Sequence, residues 1–139
     1  MTLALGNDAA AALLDGFDAF VNTGSSTANL TVYQTNTALA VFPLSATAFG
    51  SAVAGSLVLA SVPISSTGTE VAGTANRFVI TSRDGDPCLS GTIGGLGSGA
   101  DIETPHLTVT AAATQTLNAF ILLVGSDGAL GVVGSFTFV

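Results

Sequence analysis

At residue 29 the apolar pattern of this chain changes period, and that change constrains the fold more than any other feature of the sequence. Before it, Ala10, Leu13, Leu14, Phe17 and Val21 recur at i, i+3, i+4, i+7 and i+11, one face of an α-helix, with Asp15 and Asp18 on the opposite side. Asn7 and Asp8 offer a cap. The cluster Asn22-Thr23-Gly24-Ser25-Ser26 supplies residues that accept the left-handed conformation in which helices end. An amphipathic helix of about four turns cannot form a core alone, so it must lie on a sheet or on a neighbouring subunit. Beyond residue 29, Leu30 and Val32 alternate with Thr31 and Tyr33, and Leu39 and Val41 alternate with Ala40 and Phe42 until Pro43 interrupts the run. Alternation with period two belongs to strands, whose side chains point to opposite faces in turn.

The strand pattern continues through the rest of the chain. Leu57, Val58 and Leu59 form a run that Pro63 ends, after a small-residue loop anchored by Phe49. The longest run extends from Glu70 to Ser82, with Phe78 and Ile80 as its expected core contacts. Gly73 in its middle predicts a bulge or a close backbone approach, through which a long strand could bend between two sheets. Asp84-Gly85 is a hairpin signal, and Cys88 to Ile93 is the expected return strand. Further strands are expected at Ile102 to Thr110, Thr116 to Val124 and Ala129 to Val139, the last two joined through Ser126-Asp127-Gly128. About eight short strands with no helices between them predict a mainly β fold, an antiparallel β-sandwich carrying one N-terminal helix. A chain of 139 residues fits one domain, with residues 1–24 as helix and connector and 25–139 as the sandwich.

Charge narrows the partners. Charged residues make up 8 % of the chain, where about 25 % is usual, so Ser, Thr, Asn, Gly and Ala must cover the surface. The net charge of −7 arises from nine acids against Arg77 and Arg83, with no lysine, a balance that disfavours binding to nucleic-acid phosphates. No run approaches the roughly 20 apolar residues of a membrane-spanning helix, and the first residues lack the basic start of a secretory signal, so folding in a cytoplasm is expected. Low charge density also weakens repulsion between copies, and much of the surface is expected to be covered by partner subunits.

Candidate chemistry is sparse. His106 lies near Asp101 and Glu103, but Pro105 interrupts the spacing and further metal ligands are lacking nearby. Asp84 and Asp86 flank Gly85 without the further acids of a calcium loop, and Gly94 to Gly99 matches no phosphate-binding pattern. Cys88 stands alone, and no serine sits in a nucleophile elbow before a helix. Arg77 is a candidate ion-pair anchor for Glu70 or for an acid of another chain. No catalytic, metal or cofactor-binding residues are therefore expected. A carbohydrate-binding module is disfavoured because such faces use aromatic platforms, and the chain has no Trp and one Tyr, Tyr33.

A set of short motifs follows one another in a distinctive order. Ala12-Leu13-Leu14-Asp15-Gly16 lies in the helix, Leu30-Thr31-Val32-Tyr33 in the first strand, and Leu44 to Gly50 runs into Gly55-Ser56-Leu57-Val58-Leu59. Ala72-Gly73-Thr74-Ala75-Asn76-Arg77-Phe78, Asp84-Gly85, Gly91 to Gly94, Gly99 to Ile102 and the ending Ser135-Phe136-Thr137-Phe138 complete the series. In this order the chain resembles a family of small β-rich structural proteins of tailed bacteriophages and prophages; between Thr110 and Gly134 the likeness is loose. The resemblance implies a non-enzymatic virion component without cofactors. Its expected role is that of a capsid cement or decoration protein on the outside of the major capsid shell, with a tail or neck component as the alternative. Its expected partners are the major capsid protein and copies of itself, with no nucleic acid and no membrane. The contact residues expected between subunits are Leu13, Leu14 and Phe17 of the helix, together with Arg77.

Overall fold

The computed structural model describes residues 4–139. It is mainly β: one helix, α1 (Asn7–Val21), precedes eleven strands. These are β1 (Asn29–Gln34), β2 (Thr37–Pro43), β3 (Ser56–Val58), β4 (Ile64–Ser65), β5 (Gly73–Thr74), β6 (Arg77–Thr81), β7 (Pro87–Gly94), β8 (Ile102–Glu103), β9 (Thr108–Val109), β10 (Thr116–Val124) and β11 (Leu130–Thr137). One sheet has the order β2-β1-β6-β7-β8 and a second the order β11-β10-β3, with β4 also pairing with β10; β5 and β9 form a small third sheet. All ladders are antiparallel except β7 with β8. The arrangement is sandwich-like, as the alternation predicts.

Three more strands form than the sequence pattern suggests, chiefly because two expected long strands divide. Ala75 donates its amide to Leu107 (2.8 Å), beside β9, whereas the next amide, Asn76, turns to Tyr33 (2.9 Å), beside β1. The chain thus changes sheets between these residues. A Cβ at Gly73 would stand 2.5 Å from Gln34 Oε1 and 2.7 Å from Leu39 Cδ2, so the crossing requires the close approach that only glycine permits. In the second case Thr104 donates to Gly94 (2.9 Å), and Pro105, which has no amide hydrogen, separates β8 from β9.

The two large sheets meet through aromatic side chains. Phe78 of β6 stands edge-on to Phe120 of β10, with ring centroids 5.6 Å apart, and Phe42 of β2 meets Phe136 of β11 at 5.7 Å. Phe120 in turn meets Phe49 (6.3 Å), which meets Phe17 of α1 (5.8 Å), so one file of rings runs from the helix to the far sheet. Ala10, Leu14 and Val21 bury the inward stripe of α1 in this core.

The ends and the acidic side of α1 differ from expectation. Gly6, in an extended conformation (φ −67°, ψ 156°), occupies the N-cap without any side-chain bond, and Asn7 and Asp8 are the first helical residues. Asp8 there carries its charge where the helix dipole favours it. At the other end Asn22 is not left-handed (φ −82°), and Thr23 Oγ1 satisfies the Ala19 carbonyl at 2.9 Å. Exposed Asp15 and half-buried Asp18 are nevertheless engaged with the protein, accepting the amides of Ala52 (3.0 Å) and Phe49 (3.3 Å). Two short acidic side chains thereby cap the loop that β3 leaves exposed.

Candidate functional site

The charged stretch around β6 is structural. Arg77 places its guanidinium over the Tyr33 ring, 4.3 Å from the centroid, and donates from Nε to the Thr35 carbonyl at 2.6 Å. Thr35 sits at φ 54°, an uncommon state for a β-branched residue, and its amide donates to Asn76 Oδ1 at 2.9 Å. Arg77 and Asn76 together hold the β1–β2 turn in this conformation. Arg83 acts similarly, donating from Nε to the Ser26 carbonyl at 2.8 Å and so tying the β6–β7 turn to the segment after α1. Both cations of the chain thus bind backbone carbonyls in loops distant in sequence.

The expected pairing of Arg77 with Glu70 is not formed. Glu70 is 6 % exposed, accepts Ser66 Oγ in a short bond, and accepts the Gly68 amide at 2.9 Å. The Ser66 hydroxyl, with help from the Gly68 amide, holds its carboxyl below the usual range despite burial. Its second oxygen, Oε2, is buried without a partner. Ser66 Oγ also accepts the amide of Gln115 (2.8 Å), which is fully buried. The Gln115 side chain then grips Val139 from both sides: Oε1 accepts the Val139 amide (2.6 Å), and Nε2 donates to the Val139 carbonyl (2.9 Å) and the Ala113 carbonyl (2.6 Å). This polar knot fastens β11 to β10 beyond the last ladder pair. A lone Gln in a loop of Thr and Ala carries no pattern by which sequence reasoning could single it out.

The remaining acids are locally engaged. Asp101 Oδ2 accepts the amide (2.8 Å) and hydroxyl (3.0 Å) of Thr92, and Glu103 accepts the Gly99 amide (3.0 Å). His106 is exposed and not gathered with them, and among the described residues no group of three or more His, Cys, Asp or Glu is placed to hold a metal ion. Asp84 and Asp86 belong to a turn in which their amides donate to Ser82 Oγ. Cys88 is half-buried, and desolvation, with the charge of Asp86, raises its thiol above the ordinary value. Desolvation likewise raises the carboxyl of Asp18.

Several large apolar side chains also remain outward. Leu13 is 60 % exposed, whereas Leu14, at 1 %, is packed into the core of its own chain. Phe17 is half-buried between Phe49 and the surface. Leu13, Leu14 and Phe17 line one wall of a cleft of about 340 Å³ whose other walls are Cys88 and Leu89 of β7, Leu122 and Val124 of β10, and Leu130 of β11. A narrower cleft of about 200 Å³ continues from it between β7 and β11, floored by Phe78 and Leu122. No helix among the described residues is long and apolar enough to cross a membrane. Comparison with protein-family models, curated proteins and solved structures finds no match to this chain.

Proposed function

We propose that this chain is a non-enzymatic structural protein of a tailed-phage virion, a cement or decoration protein bound to the outside of the major capsid shell. The observation that carries the reading is the order of motifs along the chain. The segments in question form α1, β1, the approach to β3 and β3 itself, the β5–β6 crossing, the Asp84-Gly85 turn, β7, β8 and the end of β11. The cleft beside α1 supports a binding role, since it is lined by apolar side chains and opens beside the exposed Leu13. Such a surface suits contact with another protein.

The test is location. Heads and tails separated from purified particles are analysed by mass spectrometry for this chain, with the expectation that it copurifies with heads in many copies. Particles imaged by electron microscopy with and without the protein are then compared, and density is expected on the outer shell. Copies confined to tails or necks refute the cement role, and binding to a glycan array instead of particles refutes the virion role.

A further inference from the structure

Among the described residues, β11 is left as an open edge along its whole length. The outer side of β2 is covered, since Thr67 donates to the Val41 carbonyl (3.1 Å) and Val71 to that of Leu39 (2.9 Å). Beside β3, Gly50 donates to the Val58 carbonyl (3.0 Å), and Val53 and Ser56 exchange bonds. On β7 the Thr92 amide is taken by Asp101, and β8 pairs with Ile93 and Gly94. β11 has β10 on one side and lies at the end of its sheet.

The register fixes which groups that edge presents. Gly125 donates to the Ala129 carbonyl (2.9 Å), so the pairs Leu123–Gly131 and Ile121–Val133 are the hydrogen-bonded ones. On the far side of β10, Val124 donates to Gly55 and Phe120 accepts from Leu59, as this alternation requires. Leu130, Val132 and Gly134 therefore turn their N–H and C=O groups away from β10. Edges of this kind are normally blunted by charge, proline or a bulge. From Gly128 to Val139 the sequence contains no charged residue and no proline.

We infer that two copies of this chain join edge to edge through β11, antiparallel about a two-fold axis at Val132. Self-complementarity selects this register. It sets Leu130 against Gly134 of the other copy and Gly131 against Val133, so each glycine lies opposite a bulky side chain. A register centred on Gly131 would instead oppose glycine to glycine and leave gaps. The pairing makes about six backbone hydrogen bonds from groups that have no partner among the described residues. It also brings Val132 of the second copy over the 200 Å³ cleft, whose rim is Leu130, Gly131 and Val132. On the outer face Val58, Ile121 and Val133 are direct cross-strand neighbours, with Val58 50 % and Val133 53 % exposed, and the joined sheet extends this apolar row across the axis. β11 itself carries no charged residue, while Asp101 lines the cleft beside it and Asp127 stands in the turn before it. This pairing is independent of the virion role proposed above.

Cross-linking tests the axis directly. In a Cys88→Ser background, Val132→Cys places each new thiol against its own copy, at the Cα separation of about 5.5 Å of a hydrogen-bonded pair, within the bridging range of about 4.4–6.8 Å. Ser135→Cys is the control, because in this register its two copies stand about 20 Å apart. Oxidation is expected to yield covalent dimer at least tenfold faster for Val132→Cys. Sedimentation of the unmodified protein is expected to show a dimer. Val132→Pro, which removes an outward N–H and no bond within the chain, is expected to sediment as a monomer with an unchanged circular dichroism spectrum. A monomer at every concentration, equal cross-linking of the two cysteine variants, or a dimeric, folded Val132→Pro variant overturns the inference.

Discussion

Gln115 offers the sharpest test of how this fold is fastened. Replacing it with Ala removes three side-chain hydrogen bonds, those to the Val139 amide, the Val139 carbonyl and the Ala113 carbonyl. The Val139 carbonyl keeps the Thr110 amide (2.9 Å), but the Val139 amide loses the acceptor that the side chain supplies. At about 0.5–1.5 kcal/mol for each bond, the loss is about 3 kcal/mol. Equilibrium urea unfolding measures it, and amide exchange at Phe138 and Val139 is expected to accelerate well before global unfolding. Gln115→Glu sharpens the logic. Its ionised carboxylate keeps one acceptor but turns an oxygen toward two carbonyls where Nε2 had donated, so at neutral pH it is expected to be the less stable variant. Protonation restores a donor, so the folded-state pKa is raised and the deficit relative to Gln115→Ala shrinks as pH falls through it. A loss below about 1 kcal/mol for Gln115→Ala, with Val139 still protected from exchange, refutes the clamp.

Three other outcomes follow from the geometry. Glu70 has a depressed carboxyl, so its stabilising contribution is present above the unfolded value near 4.5 and is lost as pH falls through the folded value; Glu70→Gln is expected to flatten the acid limb of the stability curve, measured by thermal unfolding at successive pH values. Arg77→Ala frees the β1–β2 turn and is expected to cost about 1 kcal/mol in urea unfolding with no change in oligomeric state, because its guanidinium is engaged by Thr35 and Tyr33; loss of assembly in a folded variant points instead to an intersubunit anchor. Deleting residues 1–22 removes Ala10, Leu14 and Val21 from the core, so the product is expected to bind a hydrophobic dye and lose near-ultraviolet dichroism; a cooperatively folding truncation shows that the helix is dispensable to the core.

The fold class was legible because periodicity reports which face is buried. α1, β1, β2 and β10 form where the periodicity places them, and Phe78 and Ile80 are buried at 1 % and 0 %. What eluded the sequence is decided by distant partners. Nothing within Val71 to Ser82 announces that Ala75 bonds beside β9 while Asn76 bonds beside β1, because the neighbouring strands decide it. Arg77 looked like an ion-pair anchor because cations are rare, yet the closest suitable acceptor was a carbonyl in a strained turn. Leu14 carried the same apolar label as Leu13, and only the packing of α1 separates a core residue from a surface one. The Gln115 clamp had no sequence signal because its partners lie up to 24 positions away.

The loop that lies along β3 has a consequence for growth. A sheet with two open edges has no natural stopping point: each added copy presents the edge that recruits the next, and the product is a fibre. At the opposite edge of the β11-β10-β3 sheet, Gly50 donates to the Val58 carbonyl and Val53 exchanges bonds with Ser56, so this loop occupies the template on which a second round would start. Whatever pairs with β11 therefore terminates the sheet, and the chain can carry an uncharged adhesive strand at high local copy number without polymerising through it.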